Sequence, residues 1–304
     1  MISKILYNIL VIFLLLISNS ALSEDKFIFE SKTIEYVDDK NLIIAKGDVK
    51  ITSQDGIIIF TDESKYSKLK NKLLLLGNIK VVDKDKDIII ESNKIEYDKN
   101  KEIIFSHLET KIKLGNNYII KTSNLNYLRS TKTLKSENKT SLNDKLNNRI
   151  ETDGFIYFTD EKKFKSENLM LIDKDSNRYI AGDTFIDLNK NQIAAKDIKV
   201  YFSKNNDFGE HARLKGNYML SGNEKTLIEK GIFTTCKPND KCPPWSMQAE
   251  IIQHNKKKKI IEYKNAWLKL YDKPVFYFPK FFHPDPTVKR QSGFLMPSIA
   301  TSAN

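Results

Sequence analysis

Gly47-Asp48-Val49-Lys50-Ile51 returns 30 residues later as Gly77-Asn78-Ile79-Lys80-Val81, and this echo decides the fold. The flanking openings repeat as well. Ser31-Lys32-Thr33-Ile34-Glu35-Tyr36 is matched by Ser92-Asn93-Lys94-Ile95-Glu96-Tyr97, and more loosely by Thr122-Ser123-Asn124-Leu125-Asn126-Tyr127. Tyr36, Tyr66, Tyr97, Tyr127, Tyr157 and Phe185 recur at spacings of 30, 31, 30, 30 and 28 residues. A fixed period of this length means stacked supersecondary units.

Each unit reads as two strands. In the first, Ile34 and Tyr36 alternate with Thr33 and Glu35, Asp38 to Asn41 make a turn, and Leu42 to Ala45 and Val49 to Ile51 resume the β pattern. Six units give about a dozen short strands. Helix competes poorly, because β-branched residues dominate the periodic segments and no caps or three-to-four spacing accompany them. A propeller blade needs about four strands and 40 residues or more. The expectation is all-β: an elongated β-jelly roll or solenoid. Ile57 to Phe60 and Leu73 to Leu76 are apolar without alternation. Such runs suit a strand buried on both faces, or one whose inner face lines an apolar groove for a lipid.

The 304 residues allow one large or two ordinary domains, and 40% hydrophobic composition excludes a wholly disordered chain. All eight Pro, both Cys and both Trp fall between Cys236 and Pro297. Most of the +11 formal charge lies late: residues 206–304 hold 16 Lys and Arg against 9 Asp and Glu, and the residues before them 34 against 30. Lys4, the run Ile5 to Ile17, apolar except at Asn8, and small residues up to Ser23 form a secretory signal peptide cleaved after Ser23. The apolar run is shorter than the roughly 20 residues that span a bilayer. Export makes Cys236 and Cys242 a plausible disulfide and disfavours a nucleic-acid partner.

The last hundred residues carry five ordered blocks. They are Gly231 to Cys236, Pro243-Pro244-Trp245-Ser246, Asn265-Ala266-Trp267-Leu268, Lys273-Pro274-Val275-Phe276-Tyr277-Phe278-Pro279, and Lys289-Arg290-Gln291-Ser292-Gly293-Phe294-Leu295-Met296-Pro297. Their order resembles the outer-membrane lipopolysaccharide-assembly family LptD, also called OstA or organic solvent tolerance protein. The upstream repeats resemble its OstA-type periplasmic domain. The resemblance implies three parts: a signal peptide over 1–23, a periplasmic β-jelly-roll domain over 24–205, and a linker with the start of a transmembrane β-barrel over 206–304. A barrel of that family's size needs far more strands than this length leaves, so the chain reads as the N-terminal part of a longer protein.

The resemblance further implies location in the outer membrane with this domain in the periplasm. Lipopolysaccharide would arrive from a periplasmic OstA-type bridge protein by strand addition, and pass to the outer leaflet. An LptE-like plug lipoprotein and the barrel-assembly machinery would be partners of a completed barrel. Pro297 falls on the family's barrel-gate proline, and Cys236 on its Thr-Cys position, whose usual partner is a distant Cys. Here the other Cys is Cys242.

By the residues themselves, Pro274, Pro279, Pro284 and Pro286 each remove a ladder donor, so their stretch is expected to turn or plug rather than run as a central strand. Phe276, Tyr277, Phe278, Phe281 and Phe282 suit core or the mouth of a membrane barrel. Lys256 to Lys259 meet lipid phosphates or form a solvated turn. Interior candidates for the lipid are Tyr36, Ile51, Tyr66, Val81 and Tyr97.

No phosphate loop or nucleophile elbow occurs, and His107, His211, His254 and His283 show no ligand spacing. No catalytic residue, metal or cofactor is expected. A soluble periplasmic bridge or chaperone is the alternative function. An extracellular β-solenoid adhesin or lyase would need an acidic or metal cluster that the sequence lacks.

Overall fold

The computed structural model describes residues 27–145, 148–203, 211–237 and 243–284. The signal-peptide segment, Cys242 and the barrel-gate position Pro297 lie outside them. The 24 strands of the described residues belong to one antiparallel sheet, and those residues contain no helix. Each pass of the chain pairs with the passes before and after it, from Ile28–Glu30 to Lys273–Pro284. The fold is an elongated, rolled antiparallel sheet, the jelly roll expected from the repeat.

The passes are longer than expected. Leu42–Thr52, Ile57–Ser67, Lys72–Asp83 and Ile88–Asp98 are single strands of 11 or 12 residues. Turns follow at 38–41, 53–56, 68–71, 84–87 and 99–102, so the structural unit is one pass of about 15 residues. Successive passes run in opposite directions, which places every second turn on the same edge. Two passes therefore make the 30-residue period.

The turns at 38–41, 68–71, 99–102, 129–132 and 159–162 stack in one row. Backbone bonds join them: Lys68 N to Asn41 O at 2.8 Å, Lys99 N to Asn71 O at 3.0 Å, Arg129 N to Glu102 O at 2.9 Å. The turns at 53–56, 84–87, 115–117 and 173–177 form the opposite row.

The Gly-Asx element bends the passes. Gly47 and Asp48 have φ of 75° and 50°, Gly77 and Asn78 of 74° and 41°, and the ladder register slips at both places. These are β-bulges, which kink a strand and leave ladder groups unpaired. Threonine on the facing pass supplies the missing partner: Thr61 Oγ1 lies 2.8 Å from Leu76 O and 3.1 Å from Gly77 O. Further along the bend, Thr122 Oγ1 meets Ser136 Oγ at 2.9 Å and Thr152 Oγ1 donates to Glu167 O at 2.7 Å. A buried hydroxyl row thus follows the fold line, where a hydrophobic side chain would leave carbonyls unsatisfied.

Folded at this line, the two halves of each pass face each other. Residues directly opposite in an antiparallel pair share a face. One half presents an alternating aromatic and aliphatic row, with Tyr66 against Leu73, Leu73 against Tyr97, Tyr97 against Ile104 and Ile104 against Tyr127. The other half presents Ile51, Ile59, Val81, Ile90 and Ile112 in register. Both rows pack in one core, with Ile51, Ile59 and Val81 at most 1% exposed. A second core continues it from Ala181 to Ala266.

Three expectations need correcting. Phe185 does not complete the tyrosine row: Phe164 pairs with Ile186, which is buried, whereas Phe185 is exposed. The run Ile57 to Phe60 is buried on one face alone, since Phe60 is 42% exposed between Lys50 and Lys80. Pro286 lies outside the described residues, and the described part of the proline-rich stretch is a strand, Lys273–Pro284, paired to Ile260–Leu270. It is tolerated because no described strand pairs with its other side, and an edge strand has no use for the missing N–H groups. Pro279 also falls opposite Asn265, a left-handed residue (φ 51°) where the ladder skips. Beyond these points, the described residues from 211 up to Pro284 extend the same ladder. At residue 205/206, Gln192–Tyr201 and Arg213–Ser221 pair over eight positions.

Candidate functional site

Between the two halves of the later passes lies a cavity of about 890 Å³. Leu171, Ile186, Ile193, Val200, Leu214 and Ile228 form its apolar wall, all on the inner face of their strands. The chain is polar where the cavity reaches the two turn rows. Ser221, His254 and Lys256 stand at one rim, and Asn148, Lys174 and Asn177 at the other. Asp173 organises the second rim: it accepts from the Asn177 amide nitrogens and, at 3.0 Å, from Tyr179 Oη. Burial first, and then the Asp173 charge and hydrogen bond, push the Tyr179 phenol well above its ordinary pKa, so it stays a neutral donor. Pockets of roughly 300–1,000 Å³ hold ligands, and an apolar interior with polar rims suits an amphiphile.

Toward the N terminus the seam between the turn rows is shut. Asp55, on the second row, receives Lys99 Nζ at 2.8 Å and the Arg129 guanidinium, both from the first row. Arg129 Nη2 also donates to Asp55 O at 3.1 Å, and Arg129 Nε lies 3.6 Å from Asp83 Oδ2. Tyr127 Oη donates to the same Asp83 oxygen at 2.7 Å. Farther along, Lys86 reaches Asp160 at 2.6 Å. Burial pushes the Asp55 carboxyl up, but hydrogen bonds from Lys99 and Ser53 and the Arg129 and Lys99 charges outweigh it and hold the pKa at about 2.

Of the five interior candidates, Ile51, Val81 and Tyr97 are fully buried in the core and Tyr66 is half-buried. Tyr36 is 60% exposed: it faces the same side as Ile43 and Tyr66, but the described ladder ends at its strand. None of the five lines the 890 Å³ cavity, which lies among later passes. The sequence carried one missed signal: Ile193 with Ala195, and Ile198 with Val200, alternate in pairs on either side of a slip at Asp197, and these side chains line that cavity. Lys256 to Lys259 form the turn between Trp245–Asn255 and Ile260–Leu270; Lys256 Nζ folds back on Gly222 O at 2.7 Å. Cys236 is half-buried with its Sγ 3.5 Å from Trp245 O, and its expected partner Cys242 lies outside the described residues. Among the described residues no group of three His, Cys, Asp or Glu gathers to hold a metal.

Sequence relatives give this site its context. A protein of Sodalis glossinidius is 32% identical over 116 residues, covering 38% of this chain and 14% of its own length. One of Yersinia enterocolitica is 37% identical over 82 residues, covering 27% and 10%. Both are named LPS-assembly protein LptD. This chain resembles LptD. The stretches matched are thus a small fraction of the LptD relatives' length, and no family model matches the chain. Among solved structures, LptH of Pseudomonas aeruginosa, the LptA-homologous periplasmic component of a lipopolysaccharide transport device, is 12% identical. It covers 47% of this chain and 83% of its own at a TM-score of 0.22. The jelly-roll assignment rests on the strand ladder itself.

Proposed function

We propose that this chain carries lipopolysaccharide during its assembly at the outer membrane, receiving it from a periplasmic bridge protein and passing it outward. The observation that carries the reading is the 890 Å³ apolar cavity open at polar rims, in a chain similar to LPS-assembly proteins. Acyl chains would lie between the two sheet halves, with phosphate and sugar at the rims. The role is transport without bond chemistry, so no catalytic group is assigned.

Strand addition is the proposed contact with the bridge. In Thr33–Val37 every residue is exposed and the outer side has no described partner, the condition for pairing with another chain. The signal peptide, the periplasmic and barrel division, an LptE-like plug and the barrel-assembly machinery belong to the same proposal.

Cavity filling tests the reading. Ala195 is 2% exposed and lines the cavity, so Ala195→Trp fills it from within. Native mass spectrometry of the purified chain with lipopolysaccharide is expected to show a lipid adduct that Ala195→Trp abolishes while the β-sheet circular dichroism stays. An undiminished adduct in the folded variant contradicts it.

A further inference from the structure

The cavity begins at Asn148 and Leu169, whereas the earlier passes carry the ionic cluster that joins the two turn rows. Lys99 and Arg129 are 44 and 74 residues from Asp55 in sequence and meet it only because the halves of the sheet close. Stability does not explain the cluster well, because a buried ion pair is often no better than apolar packing in its place. The closed arrangement is also incompletely satisfied. Asp55 Oδ1 is buried and has no hydrogen-bond partner among the described residues. A half-satisfied polar network carries a desolvation cost, and that cost favours exchange of partners.

The cations have a natural alternative partner in the proposed cargo. A guanidinium binds phosphate through paired N–H bonds as well as it binds a carboxylate. Resting on the lipopolysaccharide reading above, we propose that Asp55, Asp83, Lys99 and Arg129 form a latch. It shuts the N-terminal half of the roll until the phosphates of an incoming anionic lipid draw Lys99 and Arg129 away from the two carboxylates. The seam then opens, acyl chains enter between Ile51 and Tyr97, and the lipid moves on toward the standing cavity. After it leaves, the carboxylates recapture both cations and the seam closes.

The test uses the purified full chain with a benzophenone amino acid at Ile51, inside the latched half, or at Val200, on the cavity wall. The probes are lipopolysaccharide and the same lipid stripped of phosphate. In the wild-type chain both probes are expected to label Val200, and only the phosphorylated one Ile51. Arg129→Gln and the isosteric Asp55→Asn are expected to let the dephosphorylated lipid label Ile51 at least about tenfold faster, the scale of one charge-assisted hydrogen bond, with Val200 labelling unchanged. Unchanged Ile51 labelling beside normal Val200 labelling overturns the latch and leaves the transport reading standing. Failure to label Val200 in the wild type overturns both. Loss of the Val200 adduct in both variants marks the cluster as a structural staple and also overturns the latch.

Discussion

Tyr127 Oη donates to Asp83 Oδ2 at 2.7 Å, joining the two rows of turns across 44 residues of chain. Both side chains are buried, at 1% and 2% exposure. Burial first, and then Asp83's hydrogen bond and charge, push the phenol far above its ordinary range, so it serves as a permanent donor. Tyr127→Phe removes the hydroxyl and keeps the ring. The expected loss is about 1–3 kcal/mol, because a buried carboxylate oxygen loses a partner. Urea unfolding with an unchanged slope checks it; a loss below a few tenths contradicts the seam contact.

Acid should weaken the same seam at its other carboxylate. The Asp55 pKa is lowered from 3.8 to about 2, so its ionised form stabilises the fold fully above the unfolded value. That contribution is lost as pH falls from 3.8 through about 2. Stability measured across this window should decline less steeply in Asp55→Asn than in the wild type. Parallel curves contradict the ionic account.

The bend depends on backbone that glycine alone adopts cheaply. Gly77 has φ of 74°, and a Cβ there would come 2.5 Å from Asp62 Oδ2. Gly77→Ala is expected to cost about 1–3 kcal/mol. Gly222, where an added Cβ meets nothing closer than 3.6 Å, should accept alanine with little change. Equal melting temperatures for the two variants contradict the bulge.

The cavity predicts unequal costs for one substitution. Ile51 packs against atoms on all sides, so Ile51→Ala should cost about 2–5 kcal/mol. Ile198 borders the existing void, and Ile198→Ala should cost clearly less, since part of its surface has no contacts to lose. Chemical denaturation of both variants reads the difference directly.

Much of this was legible in the residues. Gly47-Asp48 and Gly77-Asn78 marked every second pass, and alternation at Ile34 and Tyr36 marked strands, because bulges and turns are local chemistry. The true unit was hidden, since passes running in opposite directions repeat only in pairs. Phe185 and Ile186 are adjacent apolar residues, and only the pairing of Phe164 with Ile186 tells which one faces inward. The latch was invisible: Asp55 and Arg129 lie among dozens of turn charges, and their meeting depends on the rolling of the whole sheet. The prolines of Lys273–Pro284 misled for a related reason, because a strand's place at an edge is a property of topology.

The most direct measurement places a photo-crosslinking residue at Ile198, on the cavity wall, and at its outward neighbour Lys199, in living cells that make lipopolysaccharide. Irradiation is expected to trap lipopolysaccharide on the Ile198 variant and not on the Lys199 variant. Adducts at Lys199 with none at Ile198 would contradict a lipid carried inside the roll.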